Sequence, residues 1–98
     1  MPLDPLPDWV PIHHRAIGDR IRAAREYANL TQLQLAERIG REHKTISKFE
    51  HAISVPNLTD LLLIAHAVDV PLAELVREPS SADGPRTGLG PASPRRET

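Results

Sequence analysis

Apolar residues recur every three or four positions between residues 13 and 78, and this period predicts helices. Five such segments can be placed, each bounded by residues that start or stop helices well. Thr31 and Asn57 are suited to open helices, whereas Asn29 and Gly40 are suited to close them in the left-handed conformation. The segments are about His13–Ala28, Thr31–Ile39, His43–His51, Leu58–Val68 and Leu72–Val76. The chain is therefore predicted to be all-α.

Prolines crowd both ends of the chain and suggest where the folded part lies. We predict a proline-rich N-terminal arm at residues 1–12, one domain at residues 13–78 and a disordered C-terminal tail at residues 79–98. The tail is too rich in Pro, Gly and Ser to bury apolar surface. The arm contains Trp9, Val10 and Ile12, which are costly to expose together, so we expect them to pack on the domain or on a partner.

Composition excludes several classes of protein. The chain has no Cys, which rules out disulfides and thiolate zinc sites. No stretch approaches the roughly 20 apolar residues of a membrane span, and the first residues do not resemble a signal peptide. We therefore expect a cytoplasmic protein with no membrane partner.

Five histidines and many acids raise the possibility of a metal site or an enzyme. His13 and His14 are neighbours that point apart on a helix, and neither a His-Glu-x-x-His motif nor a phosphate-binding Gly loop is present. We predict no catalytic residue, no metal, no cofactor and no small-molecule ligand.

Charge is distributed unevenly along the chain, although its formal net value is only -1. Residues 13–51 carry eight Lys or Arg against five acids, whereas residues 52–79 carry one Arg against four acids. One domain can thus present a basic face to phosphate while its far side is acidic. The alternative is scattered, solvated charge.

Residues 31–52, TQLQLAERIGREHKTISKFEHA, resemble the helix-turn-helix of the Cro and phage-repressor type, also called the xenobiotic-response-element family. The resemblance extends over roughly residues 14–77. It implies a compact five-helix, repressor-like DNA-binding domain whose helices 2 and 3 read DNA. The positions that agree within the motif are Thr31, Gln32, Leu35, Ala36, Gly40, Thr45, Ile46, Ser47 and Glu50.

Four positions depart from the family pattern. Arg41 replaces a buried apolar residue, which suggests a looser or more basic turn. Glu42 replaces a common Ser or Thr, and its carboxylate favours the helix dipole but repels a nearby phosphate. Ala52 and Asp69 stand where Gly is usual, and Ala is disfavoured at positive φ, so we expect a different turn after helix 3.

The resemblance also assigns roles within the motif. The N-terminal side chains of a recognition helix reach base edges in the major groove. Since Lys can donate to guanine, a G-containing half-site is expected. The alternative for each position is a solvated side chain. The base contacts implied are His43, Lys44, Ser47 and Lys48, and the backbone contacts are Thr31, Gln32, Arg41 and His51, with Arg20, Arg22 and Arg25 less certain.

These features predict sequence-specific binding of double-stranded DNA by a transcriptional regulator, a repressor rather than an activator. Leu33 and Leu63 lie where the family tends to have charged residues, and with Trp9 and Ile12 they suggest a dimer surface. A homodimer would bind a two-fold symmetric site, with recognition helices roughly 34 Å apart. The alternatives are isolated surface leucines and, for the function, an antitoxin or adaptor that uses the same fold to hold another protein.

Overall fold

The computed structural model describes residues 6–79 and confirms the predicted all-α fold. Its helices pack around one core, with extensive contacts of α2 against α3 and α4 and of α1 against α3. Residues 1–5 of the predicted arm and residues 80–98 of the predicted tail lie outside the described residues. The helices are α1 (Trp9–Tyr27), α2 (Gln32–Ile39), α3 (His43–Glu50), α4 (Leu58–Val68) and α5 (Leu72–Val76).

The first helix begins at Trp9, four residues before the predicted start at His13. The earlier start was not predicted because Pro11 suggested a segment outside the helix. Proline is tolerated there, since Pro11 is the third residue of α1 and the amides of a first helical turn have no partner within the helix. Trp9 and Ile12 therefore lie on α1 instead of on an extended arm.

Side-chain caps begin α2 and α4 where the sequence predicted them. The Thr31 hydroxyl accepts from the Gln34 amide at 3.0 Å, and the Gln34 side chain accepts from the Thr31 amide at 2.8 Å. Asn57 and Asp60 form the same reciprocal pair at the start of α4. These caps satisfy amides that a helix terminus leaves without partners, so both starts are determined locally.

Within residues 6–79, four residues between or after helices adopt positive φ. The predicted left-handed stops are confirmed at Asn29 and Gly40, and Asp69 behaves in the same way at the end of α4. The expectation of a different turn at Ala52 is wrong, since its φ is 58°. The amides of the next two residues both donate to the Lys48 carbonyl, at 2.9 and 3.3 Å, and these bonds keep the chain in the left-handed turn.

We expect Ala52→Gly to stabilise the domain. Glycine would remove about 1–2 kcal/mol of left-handed strain, offset by roughly 0.4–1 kcal/mol of added entropy in the unfolded chain. The gain should appear as a higher midpoint in urea unfolding. Ala23→Gly is the matched control, because Ala23 is exposed within α1 and its replacement should cost about 1 kcal/mol. Equal losses in both variants would contradict strain at Ala52.

The core collects apolar side chains from all five helices. Ile46 and Phe49 of α3 are buried, as the helical period of their apolar residues predicts. Leu58 also belongs to the apolar repeat of α4 but is 63% exposed, because it is the first residue of the helix, where the repeat continues and the packing does not. The buried apolar residues are Ile21, Leu30, Leu35, Ala36, Ile39, Ile46, Phe49, Ile64, Ala65, Val68 and Leu75.

Gly18 lets α1 approach the end of α3 closely. A Cβ at this position would lie 2.6 Å from the Phe49 carbonyl oxygen and 2.9 Å from the Glu50 carbonyl oxygen. A side chain would therefore push α1 away from the end of α3. Five residues earlier in α1, His13 Nε2 lies 2.8 Å from the Val76 carbonyl oxygen, and this contact ties α5 to α1.

Candidate nucleic-acid interface

The outer face of α3 carries all four predicted base-contact residues. His43, Lys44 and Lys48 are exposed, and Ser47 is half-buried. The face arises from helical periodicity, since the residues between them supply the buried side chains that anchor α3 to the core. The helix thus presents two ammonium groups, which can donate hydrogen bonds to base edges or phosphates, and an imidazole.

Glu42 precedes α3 in an extended conformation and makes no side-chain cap. Its backbone carbonyl instead accepts from the amides of Thr45 and Ile46, at 3.0 and 3.4 Å. The exposed carboxylate adds negative charge beside the N-terminus of α3. This favours the helix dipole and opposes phosphate, as the sequence indicated.

The first residue of α2 contacts the first residue of α3. His43 Nε2 lies 3.1 Å from Gln32 Oε1, so the predicted base contact and the predicted backbone contact are hydrogen-bonded to each other. Gln32 Nε2 in turn donates to Glu50 Oε1 at 3.1 Å. Gln32 is half-buried, and its side-chain amide is hydrogen-bonded through both its nitrogen and its oxygen.

A buried ion pair anchors the inner end of these hydrogen bonds. Arg25 donates through Nε to Glu50 Oε2 at 2.6 Å and through Nη2 to Glu50 Oε1 at 3.2 Å. The Arg25 side chain is 11% exposed and that of Glu50 is 1% exposed. Arg25 Nη1 also donates to the Leu30 carbonyl at 2.7 Å. The hydrogen bond to Glu50 raises the pKa of Arg25 above its ordinary value, so the guanidinium stays charged.

This ion pair was not predicted from the sequence. Arg25 was expected to be one of the less certain phosphate contacts, but its guanidinium faces Glu50 and the Leu30 carbonyl. Glu50 was recognised only as a position that fits the family pattern. The available signal for a buried cation opposite was Glu50 itself, an acid in an α3 that otherwise carries basic side chains.

The other predicted backbone contacts lie near the ends of α2 and α3. Thr31 precedes α2, Arg41 lies in the turn before α3, and His51 follows α3. Arg41 Nη1 is 3.4 Å from Asp60 Oδ1, and its guanidinium lies 5.9 Å from the centroid of the Phe49 ring. The expected loosening of the turn is wrong, since the Arg41 amide donates to the Ala36 carbonyl at 2.9 Å. Arg41 compensates the charge of the nearly buried Asp60.

His51 turns its ring back onto its own helix. Its Nδ1 lies 2.8 Å from the Ser47 carbonyl oxygen, and because a carbonyl only accepts, Nδ1 must carry the proton. The neutral ring then has no donor left at Nε2. Only a protonated His51 can donate a hydrogen bond to a DNA phosphate.

Exposed apolar residues form more than one surface. Trp9 and Ile12 line a groove with His13, Glu78 and Pro79, while Leu33 and Leu63 lie on other helices and do not line it. The structure therefore does not gather the four residues of the predicted dimer surface into that groove. Further exposed apolar residues, which were not predicted, lie after α3 and along α4, namely Ile53, Val55, Leu58 and Leu62.

Among residues 6–79, no group of three or more His, Asp or Glu side chains is placed to hold a metal ion. None of the helices found there combines the length and the apolar character needed to cross a bilayer.

The sequence and the fold match known proteins. A family model described as a helix-turn-helix domain matches residues 16–77. The P22 c2 repressor, solved in complex with a synthetic operator, superposes with a TM-score of 0.60 and 28% identity over 64% of this chain and 96% of that chain. The restriction-modification controller protein C.AhdI from Aeromonas hydrophila superposes with a TM-score of 0.63 and 26% identity over 65% of this chain and 97% of that chain.

A sequence relative of another kind is Antitoxin HigA1 from Mycobacterium tuberculosis, in two strains. It is 32% identical over 71 residues, which are 72% of this chain and 48% of the relative. The chain thus matches about half the length of this antitoxin.

Proposed function

Because this chain belongs to the helix-turn-helix domain family, we propose that it binds double-stranded DNA sequence-specifically as a transcriptional regulator and reads the major groove with α3. The observation that carries the proposal is the outer face of α3, where His43, Lys44 and Lys48 are exposed above a buried apolar anchor. The P22 c2 repressor, bound to its operator, shares the fold. We propose a repressor rather than an activator, because this neighbour of the same fold is a repressor. We place this activity in the cytoplasm.

Each predicted contact has a chemical role in this proposal. Lys44 and Lys48 donate to guanine O6 and N7, Ser47 supplies a weaker contact on the same face, and His43 reads a neighbouring base. Thr31, Gln32 and Arg41 position the domain on the phosphates, and His51 joins them in its protonated form. The helix amides at the start of α2 add to this set.

We expect DNA binding to weaken steeply as salt rises. Each phosphate neutralised by Lys or Arg releases counterions, so the logarithm of the binding constant should fall linearly with the logarithm of salt concentration, with a slope of about -0.9 per phosphate contact. Electrophoretic shift on genomic fragments at increasing potassium chloride measures the slope. A salt-independent shift, or no shift on any fragment, would contradict the proposal.

We further propose that two copies bind a two-fold symmetric site. The large exposed apolar side chains on α1 and α4 support an interface, because association would remove their surface from water. A dimer would place its α3 helices roughly 34 Å apart, one turn of DNA. Sedimentation with and without DNA distinguishes a dimer in solution from two monomers that meet on the site.

A second candidate function is that of an antitoxin, supported by the 32% identity to Antitoxin HigA1. In this case the chain would neutralise a protein partner through its exposed apolar surface in addition to binding DNA, or instead of it. Rescue of growth when the chain is co-expressed with a toxic neighbouring gene product tests this function. Neither candidate requires catalysis, and we infer that the chain is not an enzyme.

A further inference from the structure

The ion pair between Arg25 and Glu50 determines which way the Gln32 amide faces. A carboxylate only accepts hydrogen bonds, so the Gln32 group 3.1 Å from Glu50 Oε1 must be the amide nitrogen. Gln32 Oε1 therefore faces the other way, toward His43 at the start of α3. One amide proton of Gln32 remains for a phosphate, in agreement with its proposed backbone contact.

The orientation of Gln32 determines the tautomer of His43. Gln32 Oε1 can only accept, and His43 Nε2 lies 3.1 Å from it, so Nε2 must carry the proton. In the neutral ring, Nδ1 is then an acceptor without a proton. A buried ion pair thus controls, through one glutamine, the hydrogen-bonding character of an exposed side chain on the recognition helix.

We propose that His43 reads a base by accepting a hydrogen bond at Nδ1 from an exocyclic amino group, the N6 of adenine or the N4 of cytosine. These are the amino donors in the major groove, whereas guanine and thymine offer acceptors there. Gln32 and Glu50 act as positioning residues for this contact. The inference deepens the proposed function and rests on it.

The tautomer is measured first in the free protein. Long-range proton–nitrogen correlation spectra of the full chain in mildly alkaline buffer should show Nε2–H for His43 and the opposite tautomer, Nδ1–H, for His51, whose Nδ1 faces the Ser47 carbonyl. His51, at the opposite end of α3, is therefore an internal control. Gln32→Leu should shift the His43 ring nitrogens toward averaged values and leave those of His51 unchanged. A His43 with its proton on Nδ1 would overturn the inference.

The base contact is measured with duplexes selected from a randomised pool. His43→Ala identifies the base pair concerned, because the variant should lose the preference at that pair alone. With adenine there in its favoured orientation, an analogue lacking only the N6 amino group should bind the unchanged protein about fivefold more weakly, the lower end for a base contact. The same analogue should bind His43→Ala with unaltered affinity.

The matched control duplex carries 7-deazaadenine, which lacks the N7 acceptor and keeps the amino group. We expect unchanged affinity for it. Weaker binding to 7-deazaadenine with no effect of the missing amino group would show that His43 donates, and would overturn the inference while the proposed function stood. Failure to bind any duplex would overturn the proposed function itself, whatever tautomer the spectra show.

Discussion

Replacing Glu50 with alanine should lower the free energy of unfolding by about 3–5 kcal/mol. The change leaves the guanidinium of Arg25, 11% exposed, without its carboxylate in a place that water barely reaches. It also removes the acceptor of the Gln32 amide. Small domains have only about 5–15 kcal/mol of stability in total, so much of the chain could be unfolded at growth temperature. Urea unfolding followed by circular dichroism measures the loss.

Glu26→Ala is the matched control for this variant. Glu26 also contacts Arg25, at 3.9 Å, but it is about half exposed and pairs with Arg22 on the surface of α1. Exposed pairs contribute about 0–1 kcal/mol, so this variant should unfold almost as the unchanged protein does. Similar losses in the two variants would contradict the role assigned to Glu50.

A double variant separates the unpaired charge from lost packing. Arg25→Met with Glu50→Leu removes both charges and keeps apolar volume, and it should recover most of the stability that Glu50→Ala loses. If it were as unstable as Glu50→Ala, the buried charge of Arg25 would not be the cause.

Replacing Lys44 and Lys48 together with alanine should abolish specific DNA binding and leave the fold intact. Both side chains are exposed, so their loss leaves no buried partner unsatisfied. A good base contact contributes about 1–3 kcal/mol of discrimination, and two of them amount to roughly 30-fold or more in the ratio of specific to non-specific affinity. Competition between a selected duplex and random duplex at fixed salt measures that ratio.

Arg15→Ala with Arg22→Ala removes the same positive charge from exposed positions on α1 and is the control. It should weaken binding to all sequences by a similar factor and preserve the ratio, because phosphate attraction carries no sequence information. An unchanged ratio of specific to non-specific affinity without both lysines would show that Lys44 and Lys48 are not base contacts.

Much of the fold could be predicted from the sequence because its signals are local. Thr31 and Gln34 cap α2 through bonds that span three positions, and Gly40 ends the same helix through its own backbone freedom. The inward positions of Ile46 and Phe49 follow from the helical period. Such features need no knowledge of what packs against the helix. The start of α1 was not predicted correctly, because a proline is compatible both with the first turn of a helix and with the segment before it.

The tertiary structure decided where the polar side chains point. Arg25 and Glu50 are 25 positions apart, and Gln32 and His43 are 11 apart, so no periodic pattern connects them. Sequence alone placed His43, Lys44 and Lys48 on the outer face of α3, because the helical period and the buried anchor determine that face. Only the packing of α1, α2 and α3 brings a buried charge pair against Gln32 and so determines which nitrogen of His43 carries its proton. The physical reason is that periodicity assigns residues to faces, whereas hydrogen bonds between elements depend on where the chain brings those faces together.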